Sequence, residues 1–220
     1  MKNLVVILLL LVTLGCNKPI DWTCNGNCEN GYGIKQWKDG GYIKGHWKDG
    51  KIYGQGNEFF GSTSKFAGDT YVGNFNDGYD GYGVYYDKSE DAIHKGQWKN
   101  GKPNGYGVSI FGPKADDPYR YYAGQWKNGV YDGFGIFYFS TNDGTAKFKY
   151  VGNWKNGNKE GHGIIYFQDG SRYDGNWKND EWDGNGTYIF KDGSKYNGHW
   201  NANYDPNFEG IKKAHAKLVL

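Results

Sequence analysis

The side chains that could do chemistry in this chain are few, and their spacing does not assemble them. Of the five histidines, His46, His94, His162 and His199 fall on positions of a repeating pattern and His215 lies in the tail. No Ser-His-Asp set, unique pair of acids, phosphate-binding loop or metal-ligand spacing occurs. Cys24 and Cys28, with Gly26 between them, form an even pair that could close as a small disulfide in an oxidising compartment. No neighbouring Cys or His completes a zinc set around them. The expectation is a protein without cofactor, metal or catalytic residue.

The elements around these residues are set by glycine and rings. The chain has 37 Gly among 220 residues, and aromatics make up 19%. Disordered chains are poor in aromatics, so glycine and rings rising together point to rings packed over bare backbone. A mean hydropathy of -0.84 leaves no thick apolar core. The net charge is +2, from 26 basic and 24 acidic residues, with acids interleaved among the bases. That excludes a nucleic-acid partner bound by bulk charge.

A glycine two residues before a Trp or Phe recurs at Gly45, Gly73, Gly96, Gly124, Gly152, Gly175 and Gly198, with spacings of 28, 23, 28, 28, 23 and 23. The unit is Tyr-x-Gly-x-Trp, then Lys-Asn-Gly, then Gly-x-Gly. Tyr, Gly and Trp at i, i+2 and i+4 share one face of a strand. Asn-Gly at 100–101, 128–129 and 156–157 is a strong hairpin signal, because both residues tolerate positive φ. Gly133-Phe-Gly135, Gly161-His-Gly163 and Gly184-Asn-Gly186 open the return strands. Their bare Cα positions offer a trough in which neighbouring rings can lie. Each copy therefore predicts one hairpin, stabilised by its neighbours in an array.

This pattern resembles the MORN (membrane occupation and recognition nexus) repeat family over about residues 31–203. The leading Tyr is present at Tyr71, Tyr122, Tyr150, Tyr173 and Tyr196, and replaced by Ile43 and His94. The Trp is present at Trp47, Trp98, Trp126, Trp154, Trp177 and Trp200, with Phe75 as the exception. His94 reads as a ring tolerated in an aromatic slot. The expected fold is all-β, an elongated antiparallel ribbon of stacked hairpins. Residues 31–41 read as an N-terminal half-repeat, 42–203 as the array, and 204–220 as a cap of one short helix or strand. An exposed sheet edge allows a dimer. Relatives of this kind act as scaffolds and adaptors, so the resemblance implies an unidentified protein partner.

The chain begins with Met1-Lys2-Asn3 and an aliphatic run from Leu4 to Leu14. That run is too short for a spanning helix, which needs about 20 residues, and reads as an export signal over 1–15. Thr13-Leu14-Gly15-Cys16 resembles a bacterial lipobox, with Thr13 where Leu is usual. This implies acylation at Cys16, attachment to a membrane of the bacterial cell envelope, and a tether over 16–30 carrying the Cys pair.

Three surfaces are candidates for function. Residues between the ruler Gly and Trp form a polar ladder: His46, Asn74, Gln97, Gln125, Asn153, Asn176 and His199. Insertions in the second connection of three copies lie along one edge and carry Ser62 and Lys65, Lys114, Asp116 and Asp117, and Thr141, Asn142 and Asp143. Insertions in repeat proteins gather on binding faces, while drift in turn length would also place them there. Exposed rings could anchor a protein or stack on sugars. The leading expectation is a lipid-anchored scaffold for protein partners; the alternative is an envelope glycan or peptidoglycan bound on aromatic platforms.

Overall fold

The computed structural model describes residues 21–115, 119–140 and 146–204. The strands are β1 (Trp22–Gly26), β2 (Gly31–Trp37), β3 (Tyr42–Lys48), β4 (Lys51–Phe59), β5 (Thr70–Asn76), β6 (Tyr79–Asp87), β7 (Ala92–Lys99) and β8 (Lys102–Phe111). They continue with β9 (Arg120–Lys127), β10 (Val130–Ser140), β11 (Ala146–Lys155), β12 (Asn158–Phe167), β13 (Arg172–Lys178), β14 (Glu181–Ile189) and β15 (Lys195–Trp200). Their order in the sheet is their order in the chain, so the described residues form one antiparallel meander without a helix. Two compact units divide the chain, Met1–Tyr121 with Trp126–Val130, and Tyr122–Gln125 with Tyr131–Leu220.

The hairpin turns follow from residues that accept left-handed backbone. Asn100 and Gly101 have φ of 50° and 72°, and Asn156 and Gly157 have 50° and 84°. Positive φ at both central residues is the primed turn, whose twist suits the flanking strands. Turns also bond to the copy before. Gly101 donates its N–H to Tyr79 O (3.0 Å), Gly129 to Pro103 O (2.9 Å) and Gly157 to Tyr131 O (2.8 Å). The turn margin thus continues the backbone ladder.

In each unit one side of the sheet, the ring face, holds the core. The first unit packs Trp47, Ile52, Tyr71, Phe75, Tyr79, Tyr85 and Trp98, with Cys28, into a buried cluster. The second buries Tyr122, Tyr150, Tyr173, Trp154, Trp177 and Trp200. Tyrosine hydroxyls donate along their own strand, from Tyr71 to Asn74 O (3.0 Å), Tyr150 to Asn153 O (2.9 Å) and Tyr173 to Asn176 O (3.0 Å). Tryptophan N–H groups reach back to the second glycine of the preceding copy: Trp98 to Gly83 O (3.2 Å) and Trp177 to Gly163 O (3.0 Å). These rings are tied to backbone as well as packed, which satisfies their buried polar ends.

A further slot completes the core. The residue two before the first glycine of Gly-x-Gly closes over the tyrosine: Tyr79 stacks on Tyr71 at 3.7 Å, Tyr131 on Tyr122 at 3.8 Å and Trp182 on Tyr173 at 4.2 Å. In one copy Lys159 stands here, its ammonium 5.8 Å from the Tyr150 ring and 3.2 Å from Asp180.

One expectation needs correction. The segment 16–30, read as a tether, carries β1, which pairs antiparallel with β2 from Trp22↔Trp37 to Gly26↔Gly33. The N-terminal half-repeat is thus the second strand of a complete hairpin. Asn27 turns the chain by accepting the N–H groups of Glu29 (3.1 Å) and Asn30 (2.9 Å) on its side-chain oxygen. Cys24 and Cys28 are disulfide-bonded across this bend. Cys28 is buried and fills the gap over Gly33, where a Cβ would meet its Sγ at 2.9 Å. The expected signal segment, Cys16 and the cap beyond Tyr204 lie outside the described residues.

Candidate interaction surface

The two glycines of Gly-x-Gly have different duties. The second, such as Gly163, lies under a tyrosine ring. The first is left-handed, as Gly105 at φ +98° and Gly133 at +107°, and sits in a bulge of the return strand. Pairing passes from Gly96↔Gly107 directly to Trp98↔Pro103, so 104–106 stand against Gln97 alone. Gln97 accepts the Tyr106 N–H on its side-chain oxygen at 2.7 Å, and Gln125 accepts that of Phe134 at the same distance. Such bulges re-aim a side chain, and here they push x outward on the side opposite the rings, the open face.

The open face of the first unit carries a row of tyrosines. Tyr32, Tyr53, Tyr82 and Tyr106 are 52, 55, 51 and 66% exposed and stand on β2, β4, β6 and β8, one per hairpin. Tyr32 faces His46, which faces Tyr53 across the next pairing. Tyr82 faces Gln97. The polar ladder thus lies between the tyrosines. These rings escaped the sequence reading because x varies between copies, and Tyr53 stands two residues before x, which is Gln55 in that copy. The period-2 alternation around each Gly-x-Gly was the signal that could have found them.

In the second unit x becomes Phe134, then His162 and Asn185. There the open face holds an open trough of about 760 Å³ lined by His162, Asp174, Asn176, Asn185, Thr187 and His199, among others. Its groups bond to one another: His162 Nε2 lies 2.9 Å from Asp174 Oδ1, His199 Nδ1 3.0 Å from Asn185 Oδ1, and Thr187 donates to Asn197 at 2.7 Å. Among the described residues no cluster of three or more His, Cys, Asp or Glu could hold a metal ion.

The first insertion is fastened down. Asp39 accepts the Thr63 hydroxyl at 2.6 Å, and its backbone oxygen accepts the Ser62 N–H at 3.0 Å. The Thr63 hydroxyl first, and then the Gly41 N–H, hold the Asp39 carboxyl below the usual carboxylate range. At the other end buried Asp69 accepts the Tyr85 hydroxyl and the Lys88 N–H (3.0 Å). Lys65 lies over the Phe66 ring at 4.7 Å. Ser62 and Lys65 therefore belong to a braced connection. Lys114 is exposed, and Asp116, Asp117, Thr141, Asn142 and Asp143 lie outside the described residues.

Two further titratable groups stand among the rings of the first unit, His94 buried and Glu58 half-buried. Burial pushes His94 down to about 3, so it is neutral; it sits 4.8 Å from the Trp126 ring and 5.0 Å from that of Trp98, with Nδ1 2.7 Å from Ser109 Oγ. Glu58 accepts the Tyr79 hydroxyl at 2.7 Å, and burial raises it to about 7 against that bond. Neither adjoins the open face row, and both replace or flank rings in the core.

A family model described as MORN repeat matches residues 29–42, 71–91, 94–113, 122–144, 150–172 and 173–195, more than half of the chain. The matches pass over β3 and β4, where Ile43 takes the tyrosine slot and the long connection to β5 follows. A curated human protein, "ALS2 C-terminal-like protein", is 32% identical over 102 residues, 46% of this chain and 10% of that protein. The chain thus spans about a tenth of that relative's length. A solved structure, the SAS-4 (dCPAP) TCP domain of Drosophila melanogaster in complex with a proline-rich motif of Ana2 (dSTIL), aligns with a TM-score of 0.46 at 13% identity, over 88% of this chain and 99% of that one.

Proposed function

Starting from a chain that belongs to the MORN repeat family, we propose a non-enzymatic scaffold that binds a protein partner on the open face of its first unit. The observation that carries this reading is the row Tyr32, Tyr53, Tyr82 and Tyr106, each more than half exposed. Tyrosine supplies large, rigid, amphipathic contact area at low entropic cost. The ring face is consumed by its own packing and the first insertion by its bracing, which leaves the tyrosine row as the surface for a partner. Crosslinking in the native host tests this: a protein adduct formed by the wild type is lost in Tyr82→Ala/Tyr106→Ala. An adduct that persists unchanged rejects the row as the interface.

The location belongs to the same proposal. Acylation at Cys16 would hold the chain on a membrane of the bacterial envelope and leave the sheet free for its partner, as the aliphatic run and Gly15-Cys16 suggest. Membrane fractionation of Cys16→Ala tests it: release from the membrane is expected, and retention after processing rejects acylation.

The trough of the second unit favours a second reading, a glycan held by amides, His162 and Asp174. Sedimentation of the non-acylated chain with purified peptidoglycan tests that reading, and absence of co-sedimentation ends it.

A further inference from the structure

We propose that this chain forms a symmetric dimer by pairing the outer edge of β1 with the same edge of a second copy. Among the described residues β1 is the first strand of the sheet, with β2 as its neighbour on one side. The Asp21 backbone oxygen accepts the Lys38 N–H (3.3 Å) and the Asn27 N–H donates to Tyr32 O (2.9 Å), so the odd-numbered residues here bond towards β2. Backbone groups alternate sides along a strand, so the N–H and C=O groups of Trp22, Cys24 and Gly26 turn outward. Proteins guard such edges with Lys, Pro or an inward charge. The residues of β1, Trp-Thr-Cys-Asn-Gly, include none of these, whereas β15 at the other end of the sheet carries Lys195 and His199.

The side chains make a second copy the occupant. In an antiparallel pairing centred on Cys24, Cys24 faces its own counterpart, Trp22 faces Gly26 and Thr23 faces Asn25. The three outward residues then exchange backbone bonds as hydrogen-bonded pairs. Trp22 stands on the ring face, since the Lys35 ammonium lies 4.8 Å from its ring and 4.2 Å from that of Trp47. A ring facing a left-handed glycine is how successive copies join within this sheet. Gly81 (φ +96°) faces Trp98, Gly161 (φ +71°) faces Trp177 and Gly184 (φ +93°) faces Trp200. Gly26 has φ +94°, whereas Gly96 and Gly175, which hold its place in later copies, are not left-handed. Two Trp22–Gly26 pairs across the axis therefore repeat the joining rule of the array, and β1 supplies both halves of each pair.

Such a dimer goes beyond the tyrosine row and does not depend on it. The two sheets run on edge to edge, so both faces stay uncovered and the open face is presented twice. The contact is isologous and closes at two copies. The scaffold becomes bivalent, which strengthens binding to any partner able to reach both copies.

The experiment uses the full chain in detergent, with Cys16→Ala so that no acyl group can associate it. Thr23 and Asn25 are exposed, and in this register each lies directly opposite the other across the axis, where facing side chains interact. Sedimentation is expected to show a monomer–dimer equilibrium. Thr23→Lys/Asn25→Lys sets like charges face to face and is expected to weaken the dimer at least tenfold. Thr23→Lys/Asn25→Glu sets opposite charges face to face and is expected to tighten it at least twofold. Both variants change the same two exposed positions, so a purely local effect on β1 would move them alike. Amide exchange at Trp22, Cys24 and Gly26 is expected to slow as the wild-type concentration rises, and to ignore concentration in Thr23→Lys/Asn25→Lys. A monomer at every concentration overturns the proposal. So does a dimer that responds alike to the two variants, or one in which those three amides gain no protection, since either places the contact elsewhere.

Discussion

The Tyr150 hydroxyl occupies the place where a side chain on Gly163 would begin: a Cβ there would lie 2.3 Å from its oxygen. Tyr173 stands in the same relation to Gly186, also at 2.3 Å, and Tyr122 to Gly135 at 2.5 Å. Each ring lies on the glycine of its partner strand and anchors its hydroxyl on the carbonyl of the residue just after the glycine of its own. The family spacing is thus a packing rule, in which the ring requires the bare Cα opposite.

Gly163→Ala is therefore expected to destabilise the chain by about 2–3 kcal/mol, through overpacking against a ring held by a hydrogen bond. Gly157→Ala, at a turn position with φ +84° and nothing within 4 Å of an added Cβ, is expected to cost about 1 kcal/mol from left-handed strain alone. Urea unfolding of the two variants checks this. Equal losses would show that the ring yields to the methyl group.

The tryptophans are not equivalent. Trp177 donates to Gly163 O at 3.0 Å, whereas the buried Trp154 indole N–H has no acceptor. Trp177→Phe should cost about 1 kcal/mol more than Trp154→Phe, since only the former breaks a bond and strands a buried carbonyl. Chemical denaturation of both variants measures the difference, and a larger loss at 154 would contradict the assignment.

Glu58 gives stability a pH dependence. Its carboxyl rises from 4.5 to about 7 on folding, chiefly by burial. Between those values the folded chain holds a proton that the unfolded chain has released, so stability falls as pH rises through that window. The loss is roughly 1–3 kcal/mol. Asp69, also raised by burial, adds a slope of the same sign. Glu58→Gln should flatten the decline and melt above wild type at pH 8. Parallel melting curves from pH 5 to 8 would refute the role of Glu58.

Asp39 clamps the first insertion through Thr63 and Ser62. In Asp39→Ala, amide exchange at Thr63, whose N–H the carboxylate accepts, should quicken at least tenfold while exchange in β3 and β4 stays unchanged. Unaltered exchange at that amide would show that the connection is braced without the Asp39 carboxylate.

The repeat and its hairpins were legible because each copy shows Tyr, Gly and Trp on one face and turn residues at a fixed offset. Three features were hidden for physical reasons. β1 keeps the glycine of the pattern, Gly26 facing Gly33, but Cys24 and Cys28 stand in the places of Tyr and Trp, and Cys28 takes the place of a ring over Gly33. The slot after the turn holds Ile52, Tyr79, Pro103, Tyr131, Lys159 and Trp182. These share a position but no residue type, so a search by type passes over them. The tyrosine row depends on bulges, since two glycines in Gly-x-Gly look alike in sequence although one bends the strand and the other underlies a ring. The insertion edge, attractive by composition, is at Ser62 and Lys65 a connection held by Asp39 and Asp69.

Site-specific photocrosslinking in the native host tests the central claim most directly, with a photoreactive residue placed in turn at Tyr106 and at Lys65. The account predicts a discrete protein adduct from position 106 and none from position 65. An adduct from position 65 alone would move the interface to the insertion edge and contradict the tyrosine row.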